Sequence, residues 1–304
     1  MTRRTTAILQ VGIGVVVLGF MIRAVSGEWT KIQDANVALA FRPGWIALSM
    51  VITWLMYAGL IEGWLRVIRG WGEEVRWLTG ARIWILASFG KYLPGRIWAI
   101  AGLAVMSERA GVRGGVATAA SVVMQVLAVG TGVAVAAMTI GRELESVQPG
   151  AGMAMLLLGL AALGSLVTVG HQGTLNRIWR IARREGPPPS APRAGALGEG
   201  IALNLIAWLG YGIAFWALAH GVLPGSPLDP RLAIGGFAAA YLAGLLAIFV
   251  PGGLLVREAM LVALFQGSIG LGEAVILAAV SRLVLTGCEV GAALPFLFKR
   301  ESPA

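Results

Sequence analysis

Charged side chains are scarce in this sequence, and the few that interrupt its apolar stretches are the candidates for chemistry. Arg257 and Glu258 stand one turn after Pro251-Gly252-Gly253, inside an apolar region that runs from Leu232 to about Phe265. A weaker copy of the pattern, Pro94-Gly95-Arg96, follows Lys91-Tyr92-Leu93. Proline removes a backbone donor and clashes with the preceding turn, so each Pro-Gly pair predicts a broken helix. A helix that restarts after a break points free N–H groups, and the positive end of its dipole, at the gap. With Arg96 and Arg257 beside them, two such termini suit the phosphate of a lipid head group. Glu258 then balances Arg257 or carries a coupling proton. The competing reading is that Arg257 and Glu258 pair with neighbouring spans and lock the chain. The sequence leaves both readings open.

Other residues belong to the same question. Arg282 and Glu289 fall on roughly one face of the last apolar span. Ionised groups inside a membrane are rare and tend to be functional, but a purely structural pairing of Arg282 with Glu258 or Arg257 is as good a reading. Gln125 stands 157 residues before Arg282. It reads as a neutral polar contact at the site or as a core hydrogen-bonding residue. Glu62 precedes Arg66 by four residues, the spacing of an interfacial ion pair on a helix. Cys288 is the one cysteine, and His171 and His220 match no ligand spacing. No metal, cofactor or nucleophilic centre is therefore expected. An intramembrane enzyme acting on lipid phosphates would have to rely on Glu258, and it is the weakest of the readings.

These residues must be positioned by membrane helices. The 304 residues are 57% hydrophobic and 13% charged, with a mean hydropathy of +0.79. Soluble proteins carry about 25% charged residues, so the sequence predicts an integral membrane protein. The 43 glycines suit close packing of membrane helices. The net charge of +9 sits in a few loops between apolar spans. That is a positive-inside pattern rather than a nucleic-acid surface.

In chain order, spans are expected at about Ala7–Val25, Gly44–Ile68, Gly115–Thr139, Ala151–Val169, Gly200–His220 and Gly272–Leu294. Arg3-Arg4 before the first of these also fits a secretory signal. The arms Ala81–Leu93 and Arg96–Ser107 are each about 18–20 Å long. That is short of the roughly 30 Å hydrocarbon core, so they read as a re-entrant hairpin. Leu232–Val250 and Leu254–Gln266 form a second pair, re-entrant or fully crossing. An acidic loop is expected at Gly141–Gly150 and a basic cytoplasmic loop at 170–198. The eleven tryptophans read as interface anchors. With both termini cytoplasmic, the arginine-rich loops fall inside the cell (inner) membrane.

The two halves look related. Pro94 and Pro251 stand 157 residues apart, Gly44 and Gly200 156, and Gly115 and Gly272 157. The expectation is an all-α, polytopic fold forming one transmembrane domain over 1–304. Two pseudo-repeats, 1–140 and 150–304, each hold about three spanning helices plus a Pro-Gly-broken hairpin. An odd number of crossings per half inverts the second repeat, an arrangement typical of secondary transporters.

At this point the residues resemble a known family. Pro251-Gly252-Gly253-Leu254-Leu255-Val256-Arg257-Glu258-Ala259 is similar to the P-G-G-L-G-V-R-E-A signature of the lysylphosphatidylglycerol synthase transmembrane region, a flippase-like family. Tyr92-Leu93-Pro94-Gly95-Arg96 resembles its first-half element, and Arg282 fits the arginine that follows the signature. Two departures stand out. Leu255 replaces the middle glycine, and Gln125 stands near where many members place an acidic–arginine pair. Substrate-binding roles are expected for Pro94, Gly95, Arg96, Gln125, Pro251, Gly252, Gly253, Arg257, Glu258 and Arg282. The resemblance implies membrane lipids or lipid-linked sugars as ligands. With the chain ending at Ala304, the fused aminoacyl-transfer domain of other members is not expected. The main alternative to transport is a non-catalytic partner of a membrane glycosyltransferase, docking through the Arg177–Arg184 loop.

Overall fold

The computed structural model describes residues 39–92, 97–147, 191–247 and 255–297, together with Gly253 and scattered positions between 149 and 180. The expected first span, most of Ala151–Val169, much of the 170–198 loop and both Pro-Gly breaks lie outside the described residues.

Helices dominate. They are α1 (Pro43–Arg69), α2 (Trp77–Ser88, prolonged by a 3-10 turn at Phe89–Tyr92), α3 (Ile97–Arg109), α4 (Gly114–Val147), α5 (Ala194–Val222), α6 (Pro230–Leu246), α7 (Val256–Ile269) and α8 (Leu271–Leu297). Among them α1, α4, α5 and α8 are long and apolar enough to cross a membrane. The 27 residues of α1 reach about 40 Å. The 12 and 13 residues of α2 and α3 do not reach across. α6, at 17 residues, and α7, at 14, are also short. Local chemistry sets several starts. Pro43 and Pro230 occupy first-turn positions, where a missing N–H costs nothing. Asp229 caps α6 by accepting from the Arg231 and Leu232 amides at 2.8 and 3.1 Å.

Some boundaries differ from the sequence expectation. α5 begins at Ala194, inside the expected basic loop. α4 runs on to Val147 through a kink at Ile140 (φ −130°, ψ 22°), so residues 141–147 of the expected acidic loop are helical. α8 continues past Pro295 to Leu297. Pro295 stands near the helix end, where its cost is smallest.

The spine of the molecule is an antiparallel pair, α1 against α5. Backbone bonds tie it at both ends. The Ala40 and Arg42 amides donate to the Val222 and Gly221 carbonyls at 2.9 and 3.0 Å, and the Arg193 amide donates to Gly70 at 3.1 Å. Glycines mark the seam. A Cβ on Gly221 would meet Ile46, on Gly210 Met56, on Gly63 Leu203 and on Gly70 Ala196. Rising numbers on α1 thus meet falling numbers on α5. Small residues let the two backbones approach, which is how membrane helices gain contact where the hydrophobic effect gives none.

The short helices pair as α2 with α3 and α6 with α7. A Cβ on Gly90 would lie 2.5 Å from the Ala99 nitrogen, so the α2–α3 pair closes backbone on backbone. In the other pair, a Cβ on Gly253 would lie 2.7 Å from the Gly244 oxygen. The packing partners correspond between the pairs. α2 packs on α1, α3 and α8, while α6 packs on α5, α7 and α4. Two apolar cores result. One gathers α1, α2 and the N-terminal half of α4 around the fully buried Trp64. The other gathers α5, α6, α7, the end of α4 and the start of α8 around Phe215, Phe237 and Phe265.

Candidate functional site

α7 starts in a tight place. Gly253 has φ +64°, and Leu255, which precedes the helix, has φ +67°. A bulky residue rarely takes positive φ, and holding it there costs about 1–3 kcal/mol. A glycine would take that conformation without strain. One turn of α7 then delivers Arg257 and Glu258 inward, where they are 5% and 4% exposed.

Glu258 meets α8. Its Oε1 accepts from Arg282 Nε at 2.9 Å and lies 2.7 Å from Arg282 Nη2. Arg257 Nη1 also donates to Oε1, at 3.3 Å. Arg257 Nη2 donates to Ser281 Oγ at 3.0 Å, and that hydroxyl donates to the Ala278 carbonyl at 2.8 Å. The Arg257 guanidinium lies 5.4 Å from the centre of the Phe237 ring on α6, a cation–π contact. Three guanidinium contacts converge on one oxygen. The other, Glu258 Oε2, is buried and accepts no hydrogen bond from a described residue.

A second charged group stands in the other half. Lys91 and Tyr92, in the 3-10 turn before the first break, both reach Glu289 of α8. Lys91 Nζ pairs with Oε1, and the Tyr92 hydroxyl donates to Oε2 at 2.8 Å. Aromatic contacts run between the groups. Tyr57 lies 6.1 Å from Tyr211, and Tyr211 stacks on Phe237 at 5.8 Å. A cavity of about 10 Å³ beside Tyr211 is bordered by Ser49, Thr53 and Ser281. It has room for about one water.

Among these described side chains, Arg257 and Arg282 face Glu258, and Lys91 faces Glu289.

Of the residues singled out from the sequence, Gly253, Arg257, Glu258 and Arg282 come together. Gln125 is half-buried on α4, and no described contact brings it to this group. Pro94, Gly95, Arg96, Pro251 and Gly252 lie outside the described residues. Glu62 does bind Arg66, at 2.9 Å. Arg69 and Glu199 extend that pair into a network at the arginine-rich end of α1. Sequence reasoning gave no role to Lys91, Tyr92, Ser281 or Phe237. Lys91 carried a signal, being a lysine inside an apolar arm beside a break; Ser281 and Phe237 carried none.

A family model described as the lysylphosphatidylglycerol synthase TM region matches residues 7–287. No curated protein matches the chain.

Proposed function

Because the chain belongs to the lysylphosphatidylglycerol synthase TM family, we propose that this multi-pass membrane protein is a flippase-like transporter of an anionic lipid or a polyprenyl-phosphate-linked head group. The observation that carries the reading is the buried Arg257–Glu258–Arg282 group at the start of a short helix. Such groups are expensive in a membrane and mark ligand pathways. In this reading α2–α3 and α6–α7 are re-entrant hairpins of two inverted repeats, entering from opposite faces. The correspondence of their packing partners supports that arrangement. Arg257 and Arg96 hold the phosphate, Glu258 tempers the charge, and the lipid tail stays in the bilayer. Both termini are cytoplasmic.

Reconstitution into liposomes with labelled anionic lipids tests the proposal. Head groups are expected to change leaflet faster than in protein-free vesicles. Arg257→Ala is expected to abolish the movement while the protein is still made and inserted. A broad lipid panel with no movement above empty vesicles sinks the proposal.

A further inference from the structure

Lys91, Tyr92 and Glu289 form the charged group that the transport reading leaves unused. Glu289 follows Arg282 by two turns of α8. Both of its oxygens are taken by the first short pair of helices: Oε1 by Lys91 Nζ, Oε2 by the Tyr92 hydroxyl. The Lys91 and Glu289 side chains keep 27% and 13% of their surface exposed, against 5% each for Arg257 and Glu258. Water reaches this group more readily than the other. The fold does not demand it twice. At the 157-residue offset Lys91 corresponds to Ile248 and Glu289 to Gly132, so the matching contact in the other half carries no charge.

The surroundings decide what happens when the pair parts. Around Glu289 stand Lys91 and Tyr92 of the 3-10 turn, Tyr57 of α1, Tyr211 of α5, Arg257 of α7 and Cys288 of α8 itself; Tyr241 of α6 stands near Lys91. Tyrosine and cysteine bring no positive charge, and Arg257 is engaged by Glu258 and Ser281. Lys91 is therefore the cation on which Glu289 depends. Its ammonium sits on a flexible four-carbon stem and can leave. A carboxylate left without a cation in such a place neutralises by taking a proton. Lys91 and a proton are thus alternative partners of one carboxylate. With Lys91 on Glu289 the group is neutral. With a proton on Glu289 it is neutral only when Lys91 meets one negative charge from elsewhere.

We propose that Glu289 is a proton-binding site, and that Lys91 exchanges between Glu289 and a singly charged anionic head group. A proton from water bonds to Glu289 Oε1 as the Lys91 ammonium leaves it, and Tyr92 lets go in the same step. One proton then accompanies one negative charge. This rests on the transport reading and deepens it by naming the coupling ion.

The experiment uses the full-length protein in phosphatidylcholine vesicles, alone and with phosphatidylglycerol as the anionic probe. Infrared difference spectra follow the C=O stretch of a protonated carboxyl. Hydrogen exchange, corrected for its intrinsic pH dependence, follows residues 88–92. As pH falls from about 8 to about 5, the carboxyl band is expected to grow while protection of 88–92 falls, by up to about tenfold per pH unit, the signature of one proton. Phosphatidylglycerol is expected to move both changes to higher pH. Glu289→Gln is expected to remove the band and leave 88–92 open at every pH. Tyr92→Phe keeps the charge pair, and it serves should the first variant fail to insert. It is expected to expose 88–92 about tenfold more at each pH, the worth of one bond to a carboxylate, with the slope unchanged. A band that persists in Glu289→Gln, or protection that ignores pH or rises in acid, overturns the proton site. Midpoints that ignore phosphatidylglycerol overturn the exchange at Lys91. A pH dye inside the vesicles then counts protons against lipids moved, with one expected per phosphatidylglycerol. Lipid movement without protons overturns the coupling. A pH-dependent release with no lipid movement sinks the carrier reading alone and leaves the proton site standing.

Discussion

Glu258 is the residue on which the buried charges converge, and its two arginines do not do the same job. Arg282 places Nε and Nη2 on a single oxygen, whereas Arg257 spends one arm on Ser281 and its face on Phe237. Arg282→Leu is expected to destabilise the protein by about 3 kcal/mol, because Glu258 keeps its charge and loses its best partner. Glu258→Leu added to Arg282→Leu is expected to recover part of that loss. Unfolding in mixed micelles measures both, and additive losses would show that the pair is not coupled. Leu255 offers a test of the opposite sign. At φ +67° it is strained, so Leu255→Gly is expected to be neutral or to stabilise by about 1 kcal/mol, relief of strain outweighing the added freedom of the unfolded chain. A clear loss of stability would mean that the leucine side chain holds the break together.

At the scale of elements, contact geometry decides which glycines matter. A Cβ on Gly212 would come within 2.3 Å of the Ile234 Cα, so α6 would have to leave α5. Gly212→Leu is expected to abolish the folded protein in detergent, while Gly44→Ala, with nothing within 4 Å, is expected to behave as wild type. Size-exclusion profiles distinguish the two outcomes. The 3-10 turn at Phe89–Tyr92 is tied to α8 through Glu289. Lys91→Met is expected to raise hydrogen exchange in 88–92, and the swap of Lys91→Glu with Glu289→Lys to restore protection. Much of this was legible beforehand. Unbroken apolar runs placed α1, α4, α5 and α8 to within several residues, because length and hydropathy are properties of the run itself. The Arg282–Glu258 contact stood among the open readings, since buried charges of opposite sign seek each other. Lys91 with Glu289 was not foreseen, because that contact depends on how one hairpin lies against a helix from the other half. Ser281 was invisible for the same reason: a serine says nothing until an arginine reaches it.

For the whole molecule, the ion-pair network of Arg66, Arg69, Glu62 and Glu199 and the capped start of α6 at Asp229 stand at opposite ends of the α1–α5 pair. The topology is therefore open to a direct measurement. In a Cys288→Ser background, Glu74→Cys and Arg231→Cys are expected to react with an impermeant maleimide from opposite faces of the membrane, Glu74→Cys from the cytoplasm. Reaction of both from one side would remove the inverted arrangement. Two helices bonded main chain to main chain at both tips act as an axle. In the proposed transport reading, a swing that exposes the charged group first to one leaflet and then to the other turns around that axle, carried by the short helices. Spin labels near Gly70 and Arg193 are then expected to hold one separation in every state, while labels on α3 and α7 change theirs as the protein works.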